Sequence, residues 1–380
     1  MNIKPINYLY PDYSRILNHD EYFSQVRWLF PDFRKDQLYL KGENPSLFVY
    51  RIKTTTSLYH GIIAAVDIHD YLKGMIKKHE NTLTQQEENI SKLMLERKAI
   101  IKPILITYNE NKKIKDLIAK SFLGIKPKFK VKFEKEEQIH EFFEISDKNK
   151  ISQFQKEFKS KVKKAYIADG HHRMASVGKC LLQYPELGKN GLSHVMCALF
   201  DFTELHIHPY NRLIKTLDKF QLPEITKFLS KYGIVTPIKK PRKSKRRHEV
   251  VLISPSKCYS IQWNKDVIQY FKQKNGIAFD MDIFNELFLH DLLNIENVRS
   301  SDRIAYSEGI KPVKSILKSI ESNPDHLGFI FYPVLKRDFV KVADNHMVLP
   351  PKITWFEPRI RNGIIVQDIE NLPDPSVSLS

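Results

Sequence analysis

The segment Asp-Gly-His-His-Arg at positions 169–173 most constrains what this chain can fold into. It follows an apolar run, Ala165-Tyr166-Ile167-Ala168, and precedes a helical pattern that begins at Met174. A strand, a tight turn at Gly170 and the start of a helix are therefore predicted. Because the N-terminus of a helix presents unpaired N–H groups and the positive end of its dipole, this turn is suited to binding phosphate.

The side chains of the turn support that interpretation. Arg173 offers a planar fork for two parallel bonds, and His171 and His172 are expected to donate to phosphate oxygens. We expect Asp169 to cap the helix or to reach a magnesium ion through water. In the structural alternative, Asp169 only caps the helix and the histidines pair with nearby backbone. Helix propensity alone disfavours two histidines and an arginine here, which favours a ligand.

Composition is that of an ordinary globular protein. Of 380 residues, 42% are hydrophobic and 28% charged, enough for two or more packed cores. The sequence has neither a long apolar span nor the core of a signal peptide, so we expect a cytoplasmic protein with no membrane partner. The three cysteines, Cys180, Cys197 and Cys258, are too scattered for a disulfide framework or a zinc site; we expect reduced thiols, the first two buried.

The formal charge of +17 raises the question of nucleic-acid binding. Lysine is spread along the whole chain, however, and the densest basic block, residues 239–248, contains a proline and no aromatic side chain. Such a block is typical of a solvated loop between strands. The sequence also shows no convincing helix-turn-helix, so we disfavour nucleic acid as a partner.

Strand and helix patterns alternate on both sides of the turn, which predicts an α+β, or mixed α/β, fold. Residues 46–51 and 59–66 are expected to form a hairpin, and residues 103–108 and 194–200 buried strands. We divide the chain into a core with an N-terminal elaboration at 1–215, an α+β segment with the basic loop at 216–275, and a C-terminal α+β lobe packing on the core at 276–380.

His79-Glu80-Asn81-Thr82 forms a second candidate motif. A carboxylate within hydrogen-bond reach of a substrate hydroxyl can take its proton, and Glu80 is the candidate for that role. The alternative is a surface glutamate after the lysine-rich residues 73–78.

Two further motifs carry cationic side chains. Arg212 follows His206-Ile207-His208-Pro209 and is either a bidentate clamp for a substrate carboxylate or an exposed arginine beside a helix start. The two histidines are interpreted as strand-face residues because no third metal ligand is near in sequence. Lys352 and Thr354 lie in a proline-pinned loop at 349–358, which either aims Lys352 at phosphate or only covers the core.

Taken in order, these four motifs resemble the prokaryotic domain-of-unknown-function 1015 family over nearly the whole chain. That family's Asp-Gly-His-His-Arg segment is similar to the phosphate-binding turn of the ParB and sulfiredoxin superfamily, which includes free-serine kinases. The resemblance implies a ParB/sulfiredoxin-like nucleotide-binding core, ATP or ADP and Mg²⁺ as cofactors, and a small-molecule substrate, L-serine, phosphorylated to O-phospho-L-serine. The site residues it implies are Glu80, His172 and Arg173 for catalysis, Asp169, Gly170, His171, His172 and Arg173 for the nucleotide, and His79, Thr82, Arg212, Lys352 and Thr354 for the substrate.

The chain departs from the family pattern at three positions. The family usually has a basic residue at Asn81, an arginine near Asn89 and a serine at Ile353. Three function classes therefore stay open: a small-molecule kinase, a ParB-like nucleotide-binding or DNA-associated protein, and a noncatalytic member that binds a nucleotide or metabolite.

Overall fold

A computed structural model describes residues 1–216 and 221–369, in which strands and helices alternate as in a mixed α/β protein. Their contacts define two units. The first contains Met1–His206 and the chain from Pro358 onward, and the second is Ile207–Glu357. The predicted boundaries at residues 215 and 275 stay a proposal, and parts of both later segments, residues 217–220 and 370–380, lie outside the described residues.

The described residues contain eleven α-helices, several of which begin at a polar cap. Asn18, Asp67, Asn111 and Asp147 each accept a first-turn N–H through the side chain. The helices are α1 (His19–Lys35), α2 (Ile68–Leu72), α3 (Thr84–Arg97), α4 (Lys112–Lys120), α5 (Lys148–Lys161), α6 (His171–Gln183), α7 (Leu222–Leu229), α8 (Lys265–Asn275), α9 (Asp280–Ile283), α10 (Val313–Ser322) and α11 (Lys336–Asp344), with a 3₁₀ turn at Tyr13–Arg15 and π-helical turns at Gly188–Leu192 and Phe284–Leu292.

The described strands number twenty and belong to three sheets. In chain order they are β1 (Ile3–Lys4), β2 (Tyr8–Pro11), β3 (Tyr39–Lys41), β4 (Leu47–Lys53), β5 (Leu58–Asp67), β6 (Ile76–Lys77), β7 (Ala99–Ile100), β8 (Ile104–Tyr108), β9 (Phe129–Phe133), β10 (Gln138–Ile145), β11 (Ala165–Asp169), β12 (His194–Asp201), β13 (His206–Lys215), β14 (Gly233–Ile238), β15 (Glu249–Ile253), β16 (Cys258–Trp263), β17 (Ile304–Glu308), β18 (His326–Ile330), β19 (Thr354–Glu357) and β20 (Val366–Asp368).

The largest sheet forms the core of the first unit, in the order β6-β11-β8-β12-β5-β4-β10-β9, with β1 on β5. All five residues of β8 are buried, as expected for an apolar strand between two neighbours. β11 is antiparallel to β8, whereas β12 is parallel to it. The strand, helix and strand around the turn are thus not a parallel crossover, and this sheet is mixed. A smaller sheet, β3-β2-β20-β7, completes the unit.

The second unit has its own sheet, ordered β14-β16-β15-β18-β13-β17, with β19 on β13. One apolar cluster of this unit joins strands β15 and β18 to helix α10, through Val251, Ile253, Ile330, Ile316 and Ile320. The amphipathic α10 buries Ile316 and Ile320, four residues apart and therefore on one face.

Several sequence predictions are confirmed. β4 and β5 form the expected antiparallel hairpin; the three cysteines are free, with Cys180 and Cys197 buried. The basic block is a loop between β14 and β15. The expectation of a loop throughout 349–358 was wrong for Thr354–Glu357, which pair with β13 as β19. Within the described ranges, no helix is long and apolar enough to cross a bilayer.

Candidate functional site

The two candidate motifs of the first unit meet because their strands are parallel neighbours. β6 pairs with β11 in the register Ile76↔Ala165 and Lys77↔Tyr166. The carboxyl ends of parallel strands lie at the same edge, so the residues after β6 emerge beside the residues after β11. His79 and Glu80 are thereby placed next to the turn at Gly170 and the start of α6.

Gly170 gives this turn its shape. It has a φ of +102° and stands at the N-cap of α6. A Cβ built on it would lie 2.6 Å from Nη2 of Arg173. The guanidinium therefore packs against position 170 at a distance that only glycine permits. The first intrahelical bond runs from the N–H of Met174 to the carbonyl of Gly170. The three N–H groups before it have no intrahelical partner and face the end of the helix.

Arg173 is tied to the protein by both terminal nitrogens. Its Nη1 donates to the carbonyls of Lys102 at 2.9 Å and Pro103 at 2.6 Å, and its Nη2 donates to Asp169 Oδ2 at 2.9 Å. The expected bidentate fork toward phosphate is therefore committed to the loop before β8 and to the end of β11. Arg173 stabilises the conformation of the turn and adds a positive charge next to it.

Asp169 lies among cations. Its carboxylate is 3.2 Å from Nζ of Lys102 as well as bonded to Arg173, and Arg359 adds a third positive charge nearby. Burial works against ionisation, yet Arg173, Lys102 and Arg359 together hold the pKa of Asp169 well below its usual range. Burial and the two arginines lower the pKa of Lys102 to about 8. Asp169 is not the helix cap that we expected, since Gly170 occupies that position.

The two histidines of α6 bracket the segment from His79 to Leu83. Nε2 of His171 accepts the backbone N–H of His79 at 3.5 Å, and Nε2 of His172 accepts that of Leu83 at 3.2 Å. Burial lowers the pKa of His171 to about 3, so its ring is neutral at physiological pH. Both rings thus pair with nearby backbone, as in the structural alternative, and their donation to phosphate stays a prediction.

The carboxylate of Glu80 lies near the rings of His171 and His79. Its Oε2 lies 3.6 Å from Nδ1 of His171 and its Oε1 lies 3.8 Å from Nε2 of His79, while 44% of its side chain is exposed. His79 itself is buried, which lowers the pKa of its imidazole well below the ordinary value. The arrangement presents a carboxylate to solvent beside the first turn of α6 and two uncharged rings behind it.

Among the described residues, His79, Glu80 and His171 are the group that could supply three metal ligands, with atoms within 4.8 Å of one another. The hydrogen bonds of His171 argue against that use. Because its Nε2 accepts the N–H of His79, the neutral ring carries its proton on Nδ1, the atom that faces Glu80. A metal bound at Nδ1 would have to displace this proton. The cluster fits a hydrogen-bonding arrangement better than a metal centre.

Other predicted residues of this motif lie toward the surface. Thr82 is half-buried, whereas Asn81 and Asn89 are exposed. Asn81 and Asn89 are thus amides at the surface where the resemblance implies basic side chains at or near these positions.

The predicted substrate residues Arg212, Lys352 and Thr354 belong to the second unit. Arg212 is fully buried, and its guanidinium lies 4.4 Å from the ring centre of Tyr306. Its Nη2 donates to the carbonyls of Lys352 at 2.8 Å and Pro351 at 3.2 Å. Arg212 is thus not an exposed arginine: it fixes the proline loop, and its binding of a substrate carboxylate stays a prediction.

The proline loop presents Lys352 in a left-handed conformation, with φ of +54°. The side chain is exposed, and its Nζ lies 5.4 Å from the ring centre of Tyr210. Thr354 and Ile353 are both buried, so the isoleucine that replaces the family's serine contributes to packing. His206 and His208 both lie in β13, as strand-face residues.

Sequence reasoning missed Lys102 and Arg359. Lys102 follows β7 and Arg359 follows β19, and neither lies in one of the four motifs. The Lys-Pro pair before an apolar strand was visible in the sequence, but nothing in it indicated that β8 would lie beside β11 and bring Lys102 to Asp169.

Several solved structures are similar to this chain. SbnI with a C-terminal truncation, from Staphylococcus aureus, is 11% identical with a TM-score of 0.38, covering 79% of this chain and 85% of that one. Free serine kinase in complex with AMP is 14% identical with a TM-score of 0.36, covering 77% and 86%. A conserved hypothetical protein from Pyrococcus furiosus is 14% identical with a TM-score of 0.39, covering 82% and 97%.

A search of curated proteins finds no match to the sequence. The model of the family described as "Protein of unknown function (DUF1015)" matches residues 6–287, more than half of the chain, and the protein belongs to that family.

Proposed function

We propose that this protein is a nucleotide-dependent kinase of a small molecule that carries a hydroxyl group, with free L-serine as the acceptor that the family resemblance implies. The observation that carries the proposal is the position of Glu80, whose exposed carboxylate lies 3.6 Å from His171 at the first residue of α6. Phosphorylation of a hydroxyl needs a bound phosphate and a proton acceptor side by side. The start of α6 and Glu80 supply these two elements.

The phosphate side of the site is the turn at 169–173. Three helix N–H groups face its open end, and Gly170 has no side chain to block their approach. Lys102, Arg173 and Arg359 outnumber Asp169 as charged groups there, which favours an anion. This arrangement supports a ParB/sulfiredoxin-like nucleotide site. In it, Arg173 and His172 contribute to catalysis indirectly, because they hold the turn in the conformation that binds the nucleotide.

Glu80 is the proposed base. It takes the proton of the substrate hydroxyl, whose oxygen forms a bond to the terminal phosphorus of the nucleotide. The bond from that phosphorus to its bridging oxygen breaks, which leaves ADP from ATP or AMP from ADP. The His171 and His79 rings keep the carboxylate in place, and Thr82 lies on the same segment for a substrate contact.

Mg²⁺ fits this proposal as a partner of the nucleotide. Asp169, which stays paired with Lys102 and Arg173, would reach a hydrated ion through water, and Glu80 stays available as the base. When bound, the ion would neutralise charge on the phosphate oxygens. In the second unit, we propose that Lys352 and Thr354 contribute to substrate binding and that Arg212 positions Lys352 through its carbonyl.

The test is to incubate the purified full chain with L-serine, Mg²⁺ and either ATP or ADP, and to measure phosphoserine by mass spectrometry. L-alanine, which has no hydroxyl, is the substrate control. We expect product from the wild type, none from Glu80→Gln, and product from Glu96→Gln, an exposed glutamate of α3. Nucleotide affinity, measured separately by calorimetry, should stay within about twofold in Glu80→Gln, because the helix N-terminus is unchanged.

Absence of phosphoserine with both nucleotides, in a preparation that binds them, would contradict the kinase and favour a noncatalytic nucleotide-binding protein. Equal loss of nucleotide binding in Glu80→Gln and Arg173→Ala would contradict the separate roles of base and turn.

A further inference from the structure

The second unit contains a pocket of about 260 Å³ where the basic loop at 239–248 ends. Its wall is formed by the last two residues of that loop together with side chains from α8 and α11. The polar lining comes from Arg247, His248, Lys272, Lys341 and Asp338, and the apolar lining includes Ile268 and Ile277. The turn at 169–173, in contrast, belongs to the first unit.

The basic loop is held in place rather than free in solvent. Glu249 is the first residue of β15. Its carboxylate accepts hydrogen bonds from both terminal nitrogens of Arg242, at 2.6 and 3.1 Å, and from the backbone N–H of Lys245 at 2.5 Å. Ser244 also donates to the Glu249 carbonyl at 2.8 Å. Because these bonds to Glu249 fix the loop, its last residues, Arg247 and His248, are held in a defined position.

His248 closes the loop in a strained conformation, with φ of +65°. Its carbonyl accepts the N–H of Trp263 at 3.0 Å and Nε2 of Gln262 at 2.8 Å. Its own N–H donates to Asp280 Oδ2, and its Nδ1 lies 3.3 Å from Oδ1 of that buried carboxylate. Surrounding contacts determine this conformation, as is common where a protein builds a ligand site.

The charges around the pocket do not balance. Arg247 pairs with Asp338 at 3.2 Å. Lys272 and Lys341 are exposed, and neither forms an ion pair with a carboxylate in the described ranges. Asp280 contacts His248 and is not among the side chains that line the pocket. Three cations and one carboxylate therefore leave two positive charges at the opening, which is the complement of a dianion.

We propose that this pocket binds a small phosphate monoester, with the phosphate between Arg247, Lys272 and Lys341 and the carbon skeleton against Ile268 and Ile277. A phosphate monoester carries close to two negative charges at neutral pH and offers three acceptor oxygens, one for each cation. A lone carboxylate carries one charge and is a poorer match. Pockets for drug-sized ligands are about 300–1,000 Å³, so this smaller volume suits a metabolite of few carbons.

The probe is glycerol 3-phosphate, titrated into the full chain by calorimetry, with glycerol as the uncharged comparison. Lys272→Gln and Lys341→Gln should each weaken its binding about tenfold, since each removes one cation from the phosphate. Lys265→Gln makes the same charge change on α8 outside the pocket lining and should leave the affinity within about twofold. All three side chains are exposed, so folding is preserved, as circular dichroism would verify.

Failure of glycerol 3-phosphate to bind would overturn the proposal, as would equal affinity in Lys272→Gln, Lys341→Gln and the wild type. An equal loss in Lys265→Gln would show only a response to net charge and would also count against the pocket. Retention of duplex DNA that disappears in Lys272→Gln, with no binding of the phosphate ester, would replace it with a nucleic-acid surface.

Discussion

Arg173 donates through Nη2 to Asp169 Oδ2 at 2.9 Å, and the pair encloses the glycine that shapes the turn. The same guanidinium donates through Nη1 to two backbone carbonyls of the loop before β8. One side chain thus connects the end of β11, the start of α6 and the neighbouring loop.

Arg173→Lys should destabilise the protein. An ammonium group cannot span the carboxylate and both carbonyls in one plane, so buried acceptors lose partners and unfolding free energy falls by about 2–3 kcal/mol. Urea unfolding measures the change. Nucleotide affinity should fall with it, because the turn loses its brace. An unchanged urea midpoint would show that the three bonds contribute nothing to stability.

Gly170→Ala should cost more than the backbone conformation alone. The new Cβ meets Nη2 and Cζ of Arg173 at 2.6 and 2.9 Å. The matched control is Gly124→Ala, since Gly124 also has a positive φ, +72°, but nothing within 4 Å of its Cβ position. We expect about 1 kcal/mol of strain in the control and about 1–2 kcal/mol more at Gly170. Equal losses in urea unfolding would mean that Arg173 moves aside freely.

His171→Gln should alter the dependence of stability on pH. Burial lowers the pKa of His171 from 6.5 to about 3 in the folded protein, so between these values the unfolded chain binds more protons. Its contribution is therefore present above pH 6.5 and is lost as pH falls. Each such histidine adds a slope of about 1.4 kcal/mol per pH unit.

The measurement is urea unfolding of wild type and His171→Gln between pH 4 and pH 6, where the variant should show the shallower slope by that amount. Glutamine can still accept the His79 N–H. Identical slopes in the two proteins would mean that His171 titrates normally in the folded state.

Arg212→Lys should destabilise the second unit. It removes bonds to the carbonyls of Pro351 and Lys352 and the contact with Tyr306, at a cost of about 2–4 kcal/mol. Arg337→Lys, an exposed substitution on α11, is the control and should change the unfolding free energy by less than about 0.5 kcal/mol. If Lys352 binds the substrate, Arg212→Lys should raise the KM for serine by a larger factor than it lowers kcat. An unchanged free energy of unfolding in Arg212→Lys would show that Arg212 does not stabilise the proline loop.

Local structure at the turn could be predicted from sequence. The apolar run, glycine and helical pattern indicate a strand, a turn and a helix, and β11, Gly170 and α6 lie there. The meeting of Glu80 with this turn could not be predicted from propensity, because it depends on β6, a strand of two residues. A pairing that short leaves no periodic signal.

The sequence did not indicate the backbone contacts of His171 and His172. Residue type and position near a helix N-terminus predict phosphate donors, and that role stays a prediction; in the fold, burial keeps His171 neutral and its Nε2 accepts the His79 N–H. Burial and tautomer depend on what packs over the ring, here the segment that begins at His79, and the sequence near position 171 does not contain that information.

The contact between His79 and His171 joins residues 92 positions apart. During synthesis, Glu80 leaves the ribosome long before β11 and α6 exist, and β6 has no partner strand until then. The proposed base therefore acquires its surroundings only when residues 165–183 have been made and have folded. Nascent chains that end earlier should lack the site altogether, so its activity would report that this long-range pairing is complete.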